Sequence, residues 1–107
     1  MAIREITVNE LAGLVESGAR LVDVREYDEY VAGHVAGAVH APLSALPDHV
    51  EAFATDATTY VICQAGGRSM RACEYLADLG RDVVNVAGGT GAWIATGRDV
   101  IVGNSPS

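Results

Sequence analysis

A cysteine followed closely by two glycines and an arginine is the feature of this sequence that most clearly suggests chemistry. Residues 63–69 read CQAGGRS and lie between an apolar run typical of a buried strand and a periodicity typical of a helix. A loop that curls into a helix N-terminus points backbone N–H groups inward, and these donors, with the helix dipole, favour an anion. We therefore predict that Cys63 has a lowered pKa and is the reactive thiolate. The alternative is a buried, inert cysteine at a strand end.

The other members of this loop supply the predicted anion-binding groups. The two glycines permit the tight curl, Arg68 adds positive charge near Cys63, and Ser69 caps the helix or donates to the bound anion. The predicted substrate-binding residues are Gln64, Ala65, Gly66, Gly67, Arg68 and Ser69. Arg71 follows in the first helical turns, where the sequence is equally compatible with a solvated arginine and with one that steers anions toward the pocket.

The length of the loop favours sulfur chemistry over phosphate chemistry. Cysteine-dependent phosphatases place one more residue between cysteine and arginine than the four that separate Cys63 from Arg68. The smaller ring fits a single sulfur better than a phosphoryl group. In the predicted mechanism the thiolate attacks the outer sulfur of a donor such as thiosulfate, sulfite leaves, and an acceptor then removes the sulfur from the Cys63 persulfide. The loop amides stabilise the charge on both sulfur species.

Strand-like and helix-like segments alternate along the chain, which is the pattern of an α/β fold. Predicted strands cover 3–7, 21–24, 38–41, 59–62 and 83–86. Two predicted helices begin after the capping residues Thr7 and Ser44, and three more cover 26–32, 68–79 and 92–95. Such βαβ units build a mainly parallel sheet covered on both faces, with sites beyond the carboxyl ends of the strands. We predict one domain over 1–102 and a frayed tail over 103–107.

Composition narrows the class of protein. With 107 residues, 50% hydrophobic and 20% charged, the chain has the composition of one globular domain. Its two cysteines do not suggest a secreted disulfide framework, and a net charge of −7 argues against a nucleic-acid partner. All seven cationic residues are arginine, which excludes Schiff-base chemistry and a Walker-type lysine. No segment resembles a signal peptide or a membrane span, so we predict a cytoplasmic protein with no membrane partner.

Several other polar residues invite a functional interpretation. Asp23 and Arg25 end a predicted strand, and we expect them to brace the loop through Arg68 or the loop amides; the alternative is an ion pair of small worth. His34 lies in a glycine-rich turn, where we expect it to satisfy backbone groups and support the site. The remaining histidines show no ligand spacing, so we predict no metal site. Cys73 falls on the apolar helix face and is predicted to pack in the core.

Four segments, in order along nearly the whole chain, resemble the motifs of the rhodanese family, the thiosulfate sulfurtransferases and their single-domain relatives. Residues 21–29 (LVDVREYDE) resemble the strand with an Asp-x-Arg motif, and residues 33–38 (GHVAGA) resemble the Gly-His-x-x-Gly-Ala turn. Residues 63–69 (CQAGGRS) resemble the active loop, and residues 88–97 (GGTGAWIATG) the closing Gly-Gly and Trp segment.

The resemblance implies a three-layer α/β/α domain with a central, mainly parallel sheet, with Cys63 as the sulfur acceptor and amides 64–69 as the anion cradle. It implies that Glu29 joins the network around Asp23 and Arg25, and that the protein needs no cofactor. The neutral inner loop leaves the donor open between thiosulfate, a protein persulfide and another small sulfur species; the acceptor is a thiol, cyanide or a protein. A persulfide carrier or regulatory binding module without turnover is the alternative. The oligomeric state is open, a monomer included.

Overall fold

The computed structural model describes residues 2–53 and 56–107. The strands are β1 (Glu5–Ile6), β2 (Arg20–Asp23), β3 (Val39–His40), β4 (Thr59–Ile62) and β5 (Val83–Val86). The α-helices are α1 (Val8–Glu16), α2 (Tyr27–Ala32), α3 (Gly67–Asp78) and α4 (Gly89–Ala95), and a 3₁₀ segment covers Leu43–Ala52. Within the described ranges, no helix combines the length and the apolar character that crossing a membrane requires.

The five strands form one sheet in the order β1-β5-β4-β2-β3, with every neighbouring pair parallel. Side-chain alternation assigns the helices to its faces: Val22 and Val61 point to one face, and Leu21 and Ile62 to the other. The first face packs against α3 and the 3₁₀ segment, and the second against α1, α2 and α4. The prediction of a three-layer α/β/α fold around a parallel sheet is therefore confirmed.

Most of the predicted elements are present. The strands at 59–62 and 83–86 are confirmed, and the other three strands overlap the predicted ranges. The predicted cap of α1 is also confirmed, because Thr7 Oγ1 accepts from the Glu10 amide at 3.2 Å and the Glu10 carboxylate accepts from the Thr7 amide at 3.1 Å. The last helix begins at Gly89 and not near residue 92, since two glycines turn the chain directly into it.

The segment after Pro42 differs from the helix that the sequence predicts. It is a 3₁₀ segment that begins after Pro42 and has no side-chain cap, so the prediction that Ser44 caps it is wrong. The Ser44 hydroxyl instead donates to the Glu26 carboxylate at 2.7 Å. Pro47 inside the segment and a non-helical backbone at Ala45 divide it into two short pieces, which removes the regular α-helical hydrogen bonds.

The C-terminal segment 103–107, for which the sequence predicts fraying, makes hydrogen bonds in this structure. The Gly103 amide donates to the Val31 carbonyl at 2.8 Å, and the Gly37 amide donates to the Pro106 carbonyl at 2.8 Å. Both partners belong to α2 and the turn that follows it. The last residues of the chain therefore lie against this turn, on the side of the sheet that carries α2.

Candidate active site

The candidate site lies at the carboxyl edge of the sheet. Cys63 directly follows β4, and Asp23 ends the neighbouring β2, where it pairs in register with Ile62. The Cys63 residue is 1% exposed, and its sulfur accepts hydrogen bonds from the Gly66 amide at 3.1 Å and from the Ser69 hydroxyl at 3.2 Å. The sulfur thus lies inside the curl that the loop makes as it enters α3.

The hydrogen bonds around Cys63 lower the pKa of its thiol by more than burial raises it. Burial alone raises the pKa of the thiol, because it disfavours the charged form. The hydroxyl and amide of Ser69 and the amides of Gly66 and Ala65 act in the opposite direction, and the net result is a pKa below the usual range. The arrangement therefore favours a thiolate at this position more than an isolated cysteine would.

Two carbonyls of the loop are held from outside by the first turn of α4. The Thr90 amide donates to the Cys63 carbonyl at 2.8 Å, and the Gly91 amide donates to the Gln64 carbonyl at 3.0 Å. In a trans peptide the N–H points opposite to the C=O, so the contact at the Gln64 carbonyl fixes the peptide whose N–H belongs to Ala65, one of the amides that lower the pKa of Cys63. Gly89 permits this approach: a Cβ there would lie 2.4 Å from the Cys63 carbonyl oxygen, and its φ is +58°.

Asn85 holds a third loop carbonyl and was not among the predicted site residues. It is fully buried in β5, and its Nδ2 donates to the Gly66 carbonyl at 3.2 Å and to the Glu5 carboxylate at 2.8 Å. Gly66 has a left-handed backbone with φ of +107° and precedes the first residue of α3. The signal for Asn85 in the sequence was one polar residue inside the otherwise apolar strand VVNV.

Arg68 does not present a free charge to Cys63, contrary to the simplest form of the prediction. Its two terminal nitrogens donate to the two carboxylate oxygens of Glu29 at 2.7 and 2.8 Å. This hydrogen-bonded pair lowers the pKa of Glu29 to about 2 from an ordinary value of 4.5, against a smaller opposing effect of burial. The resemblance places Glu29 in the network around Asp23 and Arg25, whereas in the structure its carboxylate pairs with Arg68.

Asp23 and Arg25 form a buried ion pair that reaches the loop by a different route from the one expected. Arg25 donates from Nε and from one terminal nitrogen to Asp23, the latter at 2.9 Å, and the side chains are 4% and 0% exposed. The other terminal nitrogen donates to Gln64 Oε1 at 3.1 Å. The expected contact with Arg68 or the loop amides is replaced by this side-chain contact, because Arg68 turns to Glu29.

His34 lies apart from the cysteine loop. It is fully buried, and its ring nitrogens lie 2.8 Å from the Tyr30 carbonyl oxygen and 2.7 Å from the Ser105 carbonyl oxygen. Its backbone also exchanges two hydrogen bonds with Ile101. The histidine thus satisfies backbone groups, as expected, but these partners belong to α2 and the C-terminal part of the chain, and none of these contacts reaches residues 63–69.

Cys73 packs in the core with Ala72 and Leu76, as the helical periodicity predicts. Burial, reinforced by the charges of Glu5 and Glu74, raises the pKa of the Cys73 thiol to about 12. Both cysteines are free thiols. The two cysteines therefore differ in chemistry, since the environment of Cys73 suppresses the thiolate and that of Cys63 favours it.

An open cavity of about 480 Å³ lies against Cys63 and its loop. Its lining residues are Cys63, Gln64, Ala65, Gly67, Arg68 and Arg71. A thiolate at the base of an open cavity can act as a nucleophile toward a small molecule or an extended group of a larger one. Within residues 2–53 and 56–107, no three side chains of the metal-binding types come together.

Comparison with known proteins identifies the family. The model of the rhodanese-like domain matches residues 7–96. The chain is 38% identical over 95 residues to the putative sulfurtransferase YtwF of Bacillus subtilis (strain 168), covering 87% of this chain and 92% of the relative. It is 35% identical over 104 residues to the thiosulfate sulfurtransferase GlpE of Pseudomonas fluorescens (strain SBW25), covering 95% of each.

A solved structure shows the same architecture. The rhodanese-related protein of Thermoplasma volcanium has a TM-score of 0.84 and 34% sequence identity, over 92% of this chain and 97% of that one. The match to the domain model spans β2 to β5, the cysteine loop and α4. This chain belongs to the family of rhodanese-like domains.

Proposed function

We propose that this protein is a sulfurtransferase that carries the transferred sulfur as a persulfide on Cys63. The thiolate attacks the outer sulfur of a donor such as thiosulfate. A new sulfur–sulfur bond forms, the sulfur–sulfur bond of the donor breaks, and sulfite leaves with the electron pair. An acceptor such as cyanide, a thiol or a protein then attacks the outer sulfur of the persulfide, and Cys63 departs as the thiolate.

The observation that carries this proposal is the set of donors around the Cys63 sulfur. Ser69 Oγ and the Gly66 amide already lie at hydrogen-bond distance from it, and the pKa of the thiol is lowered as a result. Each half of the reaction begins or ends with an anionic sulfur at this position. Donors that are oriented beforehand stabilise that charge without rearranging during the reaction. The contact of the Gln64 carbonyl with α4 fixes the neighbouring Ala65 amide, which also lowers the pKa of Cys63.

A persulfide carrier or regulatory binding module is the second candidate, and the charges of the molecule favour it. The inner loop positions 64–67 carry no charged side chain. Arg68 is paired with Glu29, and the net charge of −7 repels a small dianion such as thiosulfate. A partner protein can bring its own persulfide into the open cavity without the repulsion that a free dianion meets. In that case the domain exchanges sulfur with its partner and does not turn over free thiosulfate.

The cellular compartment that we propose for this reaction follows from the need for a reduced thiol at Cys63. Cys63 must stay reduced between turnovers, which fits the cytoplasm, where thiols persist. The proposed unit is a single domain that works without a cofactor, because the cysteine itself carries the sulfur. Phosphate transfer is less well supported, since the ring from Cys63 to Arg68 is one residue shorter than in cysteine-dependent phosphatases.

The test is thiocyanate formation from thiosulfate and cyanide, with the intact mass of the protein measured after donor alone. The wild-type protein is expected to form thiocyanate and to gain one sulfur atom. Cys63→Ser is expected to do neither. Cys73→Ala is the matched control, because it removes the other thiol from a position that does not face the cavity, and it is expected to keep both signals.

The outcomes separate the two candidates. A gain of sulfur on Cys63 without thiocyanate formation would favour the carrier over the enzyme. A Cys63→Ser protein that still forms thiocyanate would rule out the persulfide mechanism. If neither signal appears in the wild type, thiosulfate is not the donor, and the same mass measurement with a protein persulfide decides whether Cys63 accepts sulfur at all.

A further inference from the structure

Two arginines line the cavity beside Cys63, and they differ in whether a carboxylate of the protein pairs with their charge. Arg68 donates to both carboxylate oxygens of Glu29, so its charge is matched within the protein. Arg71 lines the same cavity and is exposed. It forms no ion pair with any residue in the described ranges 2–53 and 56–107. Arg71 is thus the cavity arginine whose donors are open to a bound molecule.

The helix places Arg71 next to the path of a donor. Residues 68 and 71 are three apart and share a face of α3, whereas Ser69 and Ala72 are buried toward the sheet. The Gly66 amide and the Ser69 hydroxyl contact the sulfur of Cys63 from the loop and from α3. A donor whose outer sulfur contacts Cys63 therefore extends its other atoms into the cavity that Arg71 also lines.

We propose that Arg71 is a specificity-determining residue that favours donors whose departing group carries a large negative charge. This inference rests on the proposed sulfur transfer. When the sulfur–sulfur bond of the donor breaks, the electron pair goes to the departing group, so its negative charge grows in the transition state. A cation beside that group stabilises the transition state, relative to the free donor, more strongly the larger the negative charge that the departing group reaches, and so raises kcat/KM most for the donor that departs as a dianion. Thiosulfate departs as sulfite, a dianion, and should depend on Arg71 most.

A pair of donors isolates this effect. Methanethiosulfonate has the same transferable sulfur as thiosulfate, but a methyl group replaces one charged oxygen, so it departs as the singly charged sulfinate. Because the two half-reactions are separate, kcat/KM for each donor reports only its own step. For Arg71→Gln we expect a roughly tenfold loss of kcat/KM with thiosulfate, as for one charge-assisted hydrogen bond, and about twofold or less with methanethiosulfonate.

Two further variants control the experiment. Arg20→Gln removes the same charge from an exposed position at the start of β2, the opposite end of that strand from the site, and is expected to leave both donors unchanged. Arg71→Lys keeps the charge but not the planar fork, and is expected to have an intermediate preference. Added salt should reduce the activity of the wild type with thiosulfate more than that of Arg71→Gln.

The possible results bear differently on the two proposals. If the wild type transfers sulfur but Arg71→Gln and Arg20→Gln behave alike, the role of Arg71 is refuted and the proposed function stands. Equal losses with both donors also refute it, because they indicate an effect on Cys63 and not on the departing group. If the wild type takes sulfur from neither donor, the proposed small-donor reaction fails, and the role of Arg71 fails with it.

Discussion

Replacing Ser69 by alanine tests the source of the reactivity proposed for Cys63. The Ser69 hydroxyl lies 3.2 Å from the sulfur and is fully buried, so no solvent molecule competes for this contact in the way it would at the surface. Alanine keeps the backbone amide of residue 69 and removes only the hydroxyl. The pKa of Cys63 should therefore rise, because burial, which raises it, is left with fewer opposing hydrogen bonds.

The size of the effect follows from the hydrogen bond that is lost. A hydrogen bond to a charged group contributes about 1.5–3 kcal/mol, and sulfur is a weak acceptor, so the lower end applies. Since about 1.4 kcal/mol corresponds to a factor of ten, the ratio of thiolate to thiol at a fixed pH should fall roughly tenfold. A more basic thiolate is also more nucleophilic, with a Brønsted slope near 0.4–0.5. The alkylation rate should therefore fall only about threefold.

Two measurements check this reasoning. The ultraviolet absorbance of the thiolate, followed against pH, gives the titration midpoint, which should move upward in Ser69→Ala. The rate of alkylation by iodoacetamide below the midpoint gives the smaller, compensated change. Cys73→Ala in both backgrounds removes the second thiol from the signal. Ser44→Ala is the matched serine control, since its hydroxyl contacts only an exposed carboxylate. An unchanged midpoint in Ser69→Ala would refute the argument.

Two further predictions concern the residues that hold the loop. Glu29→Gln removes a carboxylate whose pKa is about 2 in the fold against an ordinary 4.5, so the stability that the wild type gains from this pair is present above pH 4.5 and is lost as the pH falls toward 2. In urea unfolding the variant should be about 1 kcal/mol less stable than the wild type at pH 7, since the pair is partly exposed, and equally stable near pH 2. Gly89→Ala should lower the thermal stability more than Gly18→Ala does, and it should also reduce the rate at which Cys63 is alkylated. Both glycines have positive φ, but of the two only residue 89 has a backbone atom within 3 Å of the added Cβ. Equal losses of stability would contradict the role of the close approach.

Local patterns were enough to predict most of the fold and the position of the cysteine loop between β4 and α3. Some features depend only on a few neighbouring residues, so the local sequence determines their structure. These are the apolar run 59–62, the cap at Thr7 and the glycine-containing segment 63–69. Four motifs in order were enough to indicate the family. The burial of Cys73 could be predicted for the same reason, since helical periodicity decides which face of α3 meets the sheet.

The prediction was less successful where a residue depends on a distant partner. The charge of Arg68 was expected to act on the cysteine, but Glu29, 39 residues away, neutralises it. Asn85 was missed although it holds the Gly66 carbonyl 19 residues away. The route from Arg25 to the loop through the side chain of Gln64 was also not foreseen. Side-chain geometry decides which of several possible polar partners meet, and a residue pattern does not contain it.

The sequence by itself determined the succession of strands and helices along the chain and the place of the cysteine loop between β4 and α3, because these depend on short-range periodicity, caps and turns. Only the tertiary structure decided how that loop is held. The sheet order brings β5 and α4 beside β4, so Thr90, Gly91 and Asn85 hold the carbonyls of Cys63, Gln64 and Gly66 from outside. These contacts join residues far apart in the chain, and only the register of the strands brings them within hydrogen-bond distance.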